Sequence, residues 1–167
     1  MVEAVVYTSN TGHTKKYAEM AAEELKAKAC DLKKEKLPKG TSVIYMGWLC
    51  AGSIKGYKAA AKRYNISAVC AVGMAREDEK QAADVIMRHN LGGKPFFYLQ
   101  GGFAMEKLRG PYKWMMKVMV SSVGAGLQKK ANRTAEEEEM LDLVLNGGDR
   151  VSREALEPLL RWGMAEK

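Results

Sequence analysis

The residues best equipped for chemistry fall in one short stretch, Thr8 to Thr14, which reads TSNTGHT. It follows an apolar run, Val2 to Tyr7, and leads into a helical pattern that begins near Lys15. A turn between a buried strand and a helix is a ready anion cradle. The first N–H groups of a helix lack intrahelical partners and carry the positive end of its dipole. Ser9, Thr11 and Thr14 add hydroxyl donors, the backbone from Asn10 to Thr14 adds N–H groups, and Gly12 leaves room for close approach. Each charge-assisted hydrogen bond contributes roughly 1.5–3 kcal/mol, so several together hold a phosphate dianion without a cation in the cradle. A nucleoside triphosphate site would want a lysine on the outer phosphates, followed by a hydroxyl for magnesium. This loop contains no lysine. The competing reading is a plain turn in which Thr11 or Ser9 caps the helix.

Other reactive residues have duller readings beside the functional ones. Cys50 follows the apolar run Val43 to Trp48; a redox role competes with that of a small, inert buried thiol. His89 ends an apolar helical face and reads as a structural or helix-end residue. The stripe from Trp114 to Met119 reads as intramolecular core or, because lysines border it, as a membrane or quinone contact.

The elements that would position these residues follow from hydropathy patterning. The runs Val2 to Tyr7, Val43 to Trp48, Ala68 to Val72 and Phe96 to Leu99 are nearly continuous, as strands buried on both faces of a parallel sheet should be. Helical patterns lie between them. One carries Tyr17, Met20, Ala21 and Leu25 on a single face, another Ala82, Val85, Ile86 and His89. The lysine-rich segment Leu32 to Leu37 reads as an edge strand, since charge discourages pairing with other chains. That placement predicts a five-stranded parallel sheet of order 2-1-3-4-5, a doubly wound α/β sandwich within one domain, 1–167. The link from Leu37 to Val43 is short for a parallel crossover, so the edge strand is expected to be short or locally antiparallel. Beyond the fifth strand, Tyr112 to Val123 predicts an amphipathic helix with Lys113, Lys117 and Ser121 in a polar stripe. Thr134 to Glu137 forms a capping box that opens a helix closed at Gly147 and Gly148, with Met140, Leu141, Val144 and Leu145 inward. Ser152 caps a last helix carrying Leu156, Leu159 and Leu160.

In this context the loop resembles the phosphate loop of the flavodoxin family, whose pattern is T/S-x-T-G-x-T. Ser9, Thr11, Gly12 and Thr14 occupy the patterned positions, and Asn10 and His13 the variable ones. The resemblance implies a flavodoxin-like fold and FMN as cofactor, with its phosphate against Thr8, Ser9, Asn10, Thr11, Gly12, His13 and Thr14. It implies Trp48, Leu49, Cys50, Ala51, Gly52 and Ser53 along one face or edge of the ring, and Gly73, Met74 and Ala75 along the other. The segments YTSNTGHTKKYAEMAAEEL and GGFAMEKLRGPYKWMMKVM are further similar to the flavodoxin-domain group containing menaquinone-dependent protoporphyrinogen dehydrogenase. GMARED, Gly73 to Asp78, departs from the family in having no aromatic to stack on the ring. That face is therefore expected to be open, or covered by Met74 or Trp114.

Composition bounds the rest. The chain has 167 residues, 47% of them hydrophobic and 28% charged, which is ordinary for a globular protein. Three widely spaced cysteines and two histidines leave too few soft ligands for a zinc or iron–sulfur site, so no metal is expected. The opening residues carry no leader pattern, and no stretch approaches the roughly 20 apolar residues of a membrane span. A cytoplasmic protein is expected. The net charge of +7 concentrates in residues 107–133, with seven basic and no acidic side chains, a patch that could meet a redox partner or the anionic inner face of a membrane. Nucleic acid fits less well, because the insertion lacks exposed aromatics alternating with arginines.

Three functions follow from these readings. The first is electron transfer by an FMN-binding redox protein whose partner is another protein or a quinone. The second is a quinone-linked oxidoreductase of the protoporphyrinogen dehydrogenase type at the membrane surface. The third is a non-enzymatic binding module.

Overall fold

The computed structural model describes residues 2–166. Its first strand, β1 (Ala4–Thr8), is buried at every position. It feeds α1 (His13–Leu25), whose Tyr17, Ala18, Ala21, Ala22 and Leu25 turn inward. Next come β2 (Lys28–Asp31), β3 (Ser42–Cys50), the short β4 (Ser53–Ile54), α2 (Tyr57–Ala61) and β5 (Asn65–Gly73). Helix α3 (Glu79–His89) leads to β6 (Phe96–Gln100) and the two-residue β7 (Gly102–Phe103). A 3-10 turn at Met105–Lys107 then opens α4 (Gly110–Lys129), followed by α5 (Ala135–Asn146), β8 (Gly148–Asp149) and α6 (Arg153–Ala165).

The central sheet runs β2-β1-β3-β5-β6 with every neighbouring pair parallel, and β4 pairs antiparallel with β3. Counting the long strands alone, this is the expected order 2-1-3-4-5. One core cluster unites the sheet with α1 and α6, through Tyr17, Leu25, Ile44, Met46, Leu156 and Leu159. A second, on the opposite face, brings in α2 and α3 through Tyr57, Ala60 and Val85. Helices on both faces of a mostly parallel sheet make a doubly wound α/β arrangement.

The edge strand is not where its lysines suggested. It occupies Lys28–Asp31, four residues upstream of Leu32 to Leu37, and is parallel to β1. Lys26, at φ +53°, ends α1 and sends the chain straight into the sheet. The Asp31 carboxylate then accepts from the Lys33 N–H at 2.9 Å, and the Asp31 carbonyl from the Lys34 and Glu35 N–H groups, so the chain turns away. Residues 32–41 supply the crossover to β3 without a helix, which resolves the apparent shortness of the link.

Two helices also differ from their patterns. Ile86 on α3 is 38% exposed, whereas Val85 and His89 are buried. Helix α4 is longer than Tyr112 to Val123 and continues through Gly124 and Gly126. Gly124 is buried, and a Cβ there would make only an ordinary contact, 3.6 Å from Val144 Cγ1 of α5, so this glycine neither is required by the packing nor stops the helix. Among the described residues no helix is long and apolar enough to cross a membrane. The expected caps form: Thr134 and Glu137 make the full capping box of α5, and Ser152 Oγ accepts from the Ala155 N–H. Within α5, Leu143 and Val144 are buried, while Leu145 is 53% exposed.

Candidate functional site

Because the long strands are parallel, their carboxyl ends share one edge, and there the order reverses between β1 and β3. A cavity of about 500 Å³ opens at this edge. Asn10, Thr11, His13 and Thr14 line one end of it. Trp48, Leu49, Cys50, Ala51 and Gly52 come from the β3–β4 hairpin, and Gly73, Met74 and Ala75 follow β5.

Thr8, Ser9, Gly12 and Ser53 lie outside the wall, each for a local reason. The Tyr45 hydroxyl bridges Thr8 Oγ1 at 2.9 Å and the Lys55 carbonyl at 2.5 Å, which holds Thr8 in the sheet. Ser9 Oγ accepts from the Gly12 N–H at 3.1 Å and closes the loop on itself. Gly12 caps α1 at φ +103°, a conformation L side chains rarely adopt, and a Cβ there would meet nothing within 4 Å. Glycine is thus needed for its backbone angle, and its outer side stays open. Ser53 pairs with Cys50 across a two-residue turn in which Ala51 and Gly52 both have positive φ.

Residues beyond the expected set complete the wall. Val72, Tyr98, Gly101, Gly102 and Phe103 come from the sheet side and Gln81 from the start of α3; Leu108, Met115, Met116, Met119, Val123, Met140 and Val144 come from the insertion. The two adjacent glycines after β6 were the available signal. A Cβ on Gly101 would lie 2.7 Å from Val72 Cγ1, and one on Gly102 would lie 2.9 Å from His13 Nε2. Trp114 does not cover the cavity; it is 72% exposed, and the methionines of α4 take that place. Tyr112 packs edge-on against Trp48 with ring centroids 5.1 Å apart, and Lys55 Nζ lies 5.6 Å from the Tyr112 ring. Polar ties hold α5 to the sheet. Arg76 pairs with Glu139 at 2.7 Å, and Gln100 Nε2 donates to Glu139 Oε1 at 3.3 Å and to the Met74 carbonyl at 3.2 Å.

The electrostatics are uneven. His13, buried at the first position of α1, has Nδ1 2.9 Å from Thr11 Oγ1 and Nε2 4.0 Å from Asp149 Oδ1. Burial pushes the imidazole's pKa below its ordinary value against the pull of Asp149; Lys16 and Lys107 push the same way as burial, and Glu106 opposes them. Burial works against the Asp149 carboxylate too. Hydrogen bonds from Lys16 Nζ and the Val151 N–H, with the charges of His13 and Lys16, outweigh it and hold Asp149 below the usual carboxylate range. Burial pushes the Tyr98 phenol up to about 12, and its hydroxyl donates to the Ala75 carbonyl at 2.9 Å. Tyr98 is therefore a fixed donor at neutral pH.

Two wall groups have no partner: Asn10 Nδ2, a donor at the loop end, and Gln81 Oε1, an acceptor at the start of α3. Buried polar atoms without partners cost about 1–3 kcal/mol each. Their chemistry suits an occupant with an acceptor at the loop end and a donor near Gln81. Among the described residues, no group of three or more His, Cys, Asp or Glu side chains could hold a metal ion, and Cys30, Cys50 and Cys70 are buried free thiols. No family model, curated protein or solved structure matches the chain.

Proposed function

We propose that this chain is a flavodoxin-like redox protein that binds FMN non-covalently and transfers electrons. The supporting observation is the cavity at the point where the strand order reverses, with hydroxyl and amide donors at one end and an apolar slot at the other. Its volume falls within the range of roughly 300–1,000 Å³ usual for cofactor sites. The residues present fit the group. Asn10 Nδ2, the hydroxyls of Thr11 and Thr14 and the first N–H groups of α1 suit a phosphate. Trp48 to Gly52 and Gly73 to Ala75 suit the two sides of a flat ring, and Gln81 Oε1 suits one of its N–H or hydroxyl groups. When bound, FMN supplies the electron-transfer chemistry, and the protein sets its position, potential and access. Met115, Met116 and Met119 give the slot an apolar lining, and Tyr98 anchors the loop after β5 through the Ala75 carbonyl.

The test is a visible spectrum of the protein as purified and after addition of FMN. A bound flavin spectrum is expected, and a colourless protein that takes up no FMN would overturn the reading. Thr11→Ala removes one charge-assisted donor and should weaken FMN binding about 10- to 100-fold. Gly12→Val forces a branched side chain into a left-handed conformation and should weaken it at least as much.

A second reading rests on the insertion. Trp114 and Val118 are exposed on α4 beside Lys113 and Lys117, in the segment that carries no acidic residue. An apolar, basic surface next to the cavity suits a quinone-linked oxidoreductase of the protoporphyrinogen dehydrogenase type resting on an anionic membrane. Salt-sensitive binding to anionic vesicles, together with flavin reoxidation by menaquinone analogues, would separate it from a protein-to-protein electron carrier.

A further inference from the structure

His13 stands at a variable position of the loop, yet it is only 8% exposed and both its ring nitrogens face polar partners. Asp149 Oδ1, 4.0 Å from Nε2, draws a proton to that nitrogen. With that tautomer of the neutral ring, Nδ1 is the acceptor of the 2.9 Å contact and the Thr11 hydroxyl its donor. A Thr11 hydroxyl committed to His13 cannot donate to a ligand in the cavity. Protonation of the ring reverses this bond: Nδ1 becomes the donor, Thr11 Oγ1 accepts from it, and the hydroxyl proton is freed.

We infer that His13 makes this site selective for a phosphate monoester by taking up one proton as the ligand binds, which releases the Thr11 hydroxyl to the phosphate. The proton comes from solvent and stays on the imidazole, between Thr11 and Asp149. A phosphate dianion favours the charged ring directly as well as through Thr11. The groups facing His13 set the balance. Asp149 and Glu106 favour the charged form, while burial, Lys16 and Lys107 oppose it in the free protein. In the free protein the balance leans toward the neutral ring, and the ligand's negative charge tips it toward the charged one. This inference rests on the FMN reading and adds to it the reason that the loop should prefer FMN to riboflavin.

The experiment is a titration with FMN and with riboflavin from about pH 8.5 to about pH 7, where the phosphate is already largely dianionic. Calorimetry in buffers of different ionisation enthalpy counts the protons taken up. FMN affinity should rise as the pH falls, by up to about tenfold per pH unit, with net proton uptake; riboflavin binding should show neither. His13→Asn places a permanent amide near Nδ1, so its FMN affinity should be flat over this range. Asp149→Asn should move the wild-type profile to lower pH. FMN binding without proton uptake, or with the same pH profile in His13→Asn as in the wild type, overturns the inference while leaving the FMN reading intact. Failure of the wild-type protein to bind FMN at all overturns both.

Discussion

The two walls of the cavity are built by different means. The sheet wall rises from β1, β3 and β5, where Val5, Val6, Ile44, Tyr45 and Val69 are fully buried and every strand is hydrogen-bonded to its neighbours. The helical roof, α4 and α5, rests on a small cluster of Phe103, Leu108 and Leu143, and Gly124 is the only buried residue described in α4. Backbone ladders and two-sided burial fix the sheet wall whether or not a ligand is present. The roof has far less burial to define it, and regions of that kind open most readily. Shape at the loop end is thus set by the fold, and shape above the slot depends more on what the methionines touch.

Core truncation tests this contrast most severely. Ile44→Ala, in the central strand, should cost roughly 2–5 kcal/mol in urea unfolding, whereas Val118→Ala, at a site 52% exposed, should stay within about 0.5 kcal/mol. Comparable losses would erase the distinction. Gly73→Ala comes next, because its Cβ would run into the Tyr98 hydroxyl. Overpacking of this kind costs about 1–3 kcal/mol, and adding Tyr98→Phe should restore part of the loss in a double-mutant cycle.

Acidity probes the pin between α3 and the β3–β4 hairpin. His89 Nε2 accepts from the Ile54 N–H at 2.9 Å, and its ring packs edge-on against Tyr57 at 5.3 Å. Burial, with Lys58 and Arg88, lowers its pKa in the folded state. The unfolded chain then takes up the proton first. Stability should be complete above about pH 6.5 and decline as the pH falls through the lower folded value. His13 shifts in the same direction, so His89→Gln should remove only part of the slope seen in denaturant midpoints between about pH 7 and about pH 5. An unchanged slope would show that His89 does not hold the hairpin. The smallest effect belongs to Ala51, at φ +49° in a turn that favours Asn-Gly. Ala51→Asn should raise the thermal midpoint slightly, by roughly 0.5 kcal/mol of added stability.

What the sequence made legible tracks burial. The apolar runs became β1, β3 and β5 because two-sided burial leaves a nearly continuous signature, while β6, an edge strand in which only Leu99 is buried, was legible through its aromatic residues Phe96, Phe97 and Tyr98. The edge strand was misplaced because burial does not mark it: in Lys28–Asp31 only Cys30 is buried, and the neighbouring lysines drew attention to a turn. The loop from Thr8 to Thr14 was visible as a donor-rich break between strand and helix, yet nothing in its spelling told that Thr8 bonds with Tyr45 or that His13 meets Asp149 from the far end of the chain. Such pairings depend on tertiary contacts. The methionine stripe was visible but ambiguous, because a residue that lines a cavity and one that packs a core carry the same apolar pattern.

The pairing of Gly102–Phe103 with Gly148–Asp149 places the departure and the return of the roof side by side, and the Arg150 N–H adds a bond to the Gly101 carbonyl at 2.7 Å. In evolutionary terms the segment between them is a cassette. Its two ends already meet, so its length and composition can change at little further cost in chain entropy, and the strands beneath keep their register. A lineage can therefore exchange the roof above the cavity while inheriting the loop from Thr8 to Thr14 unaltered.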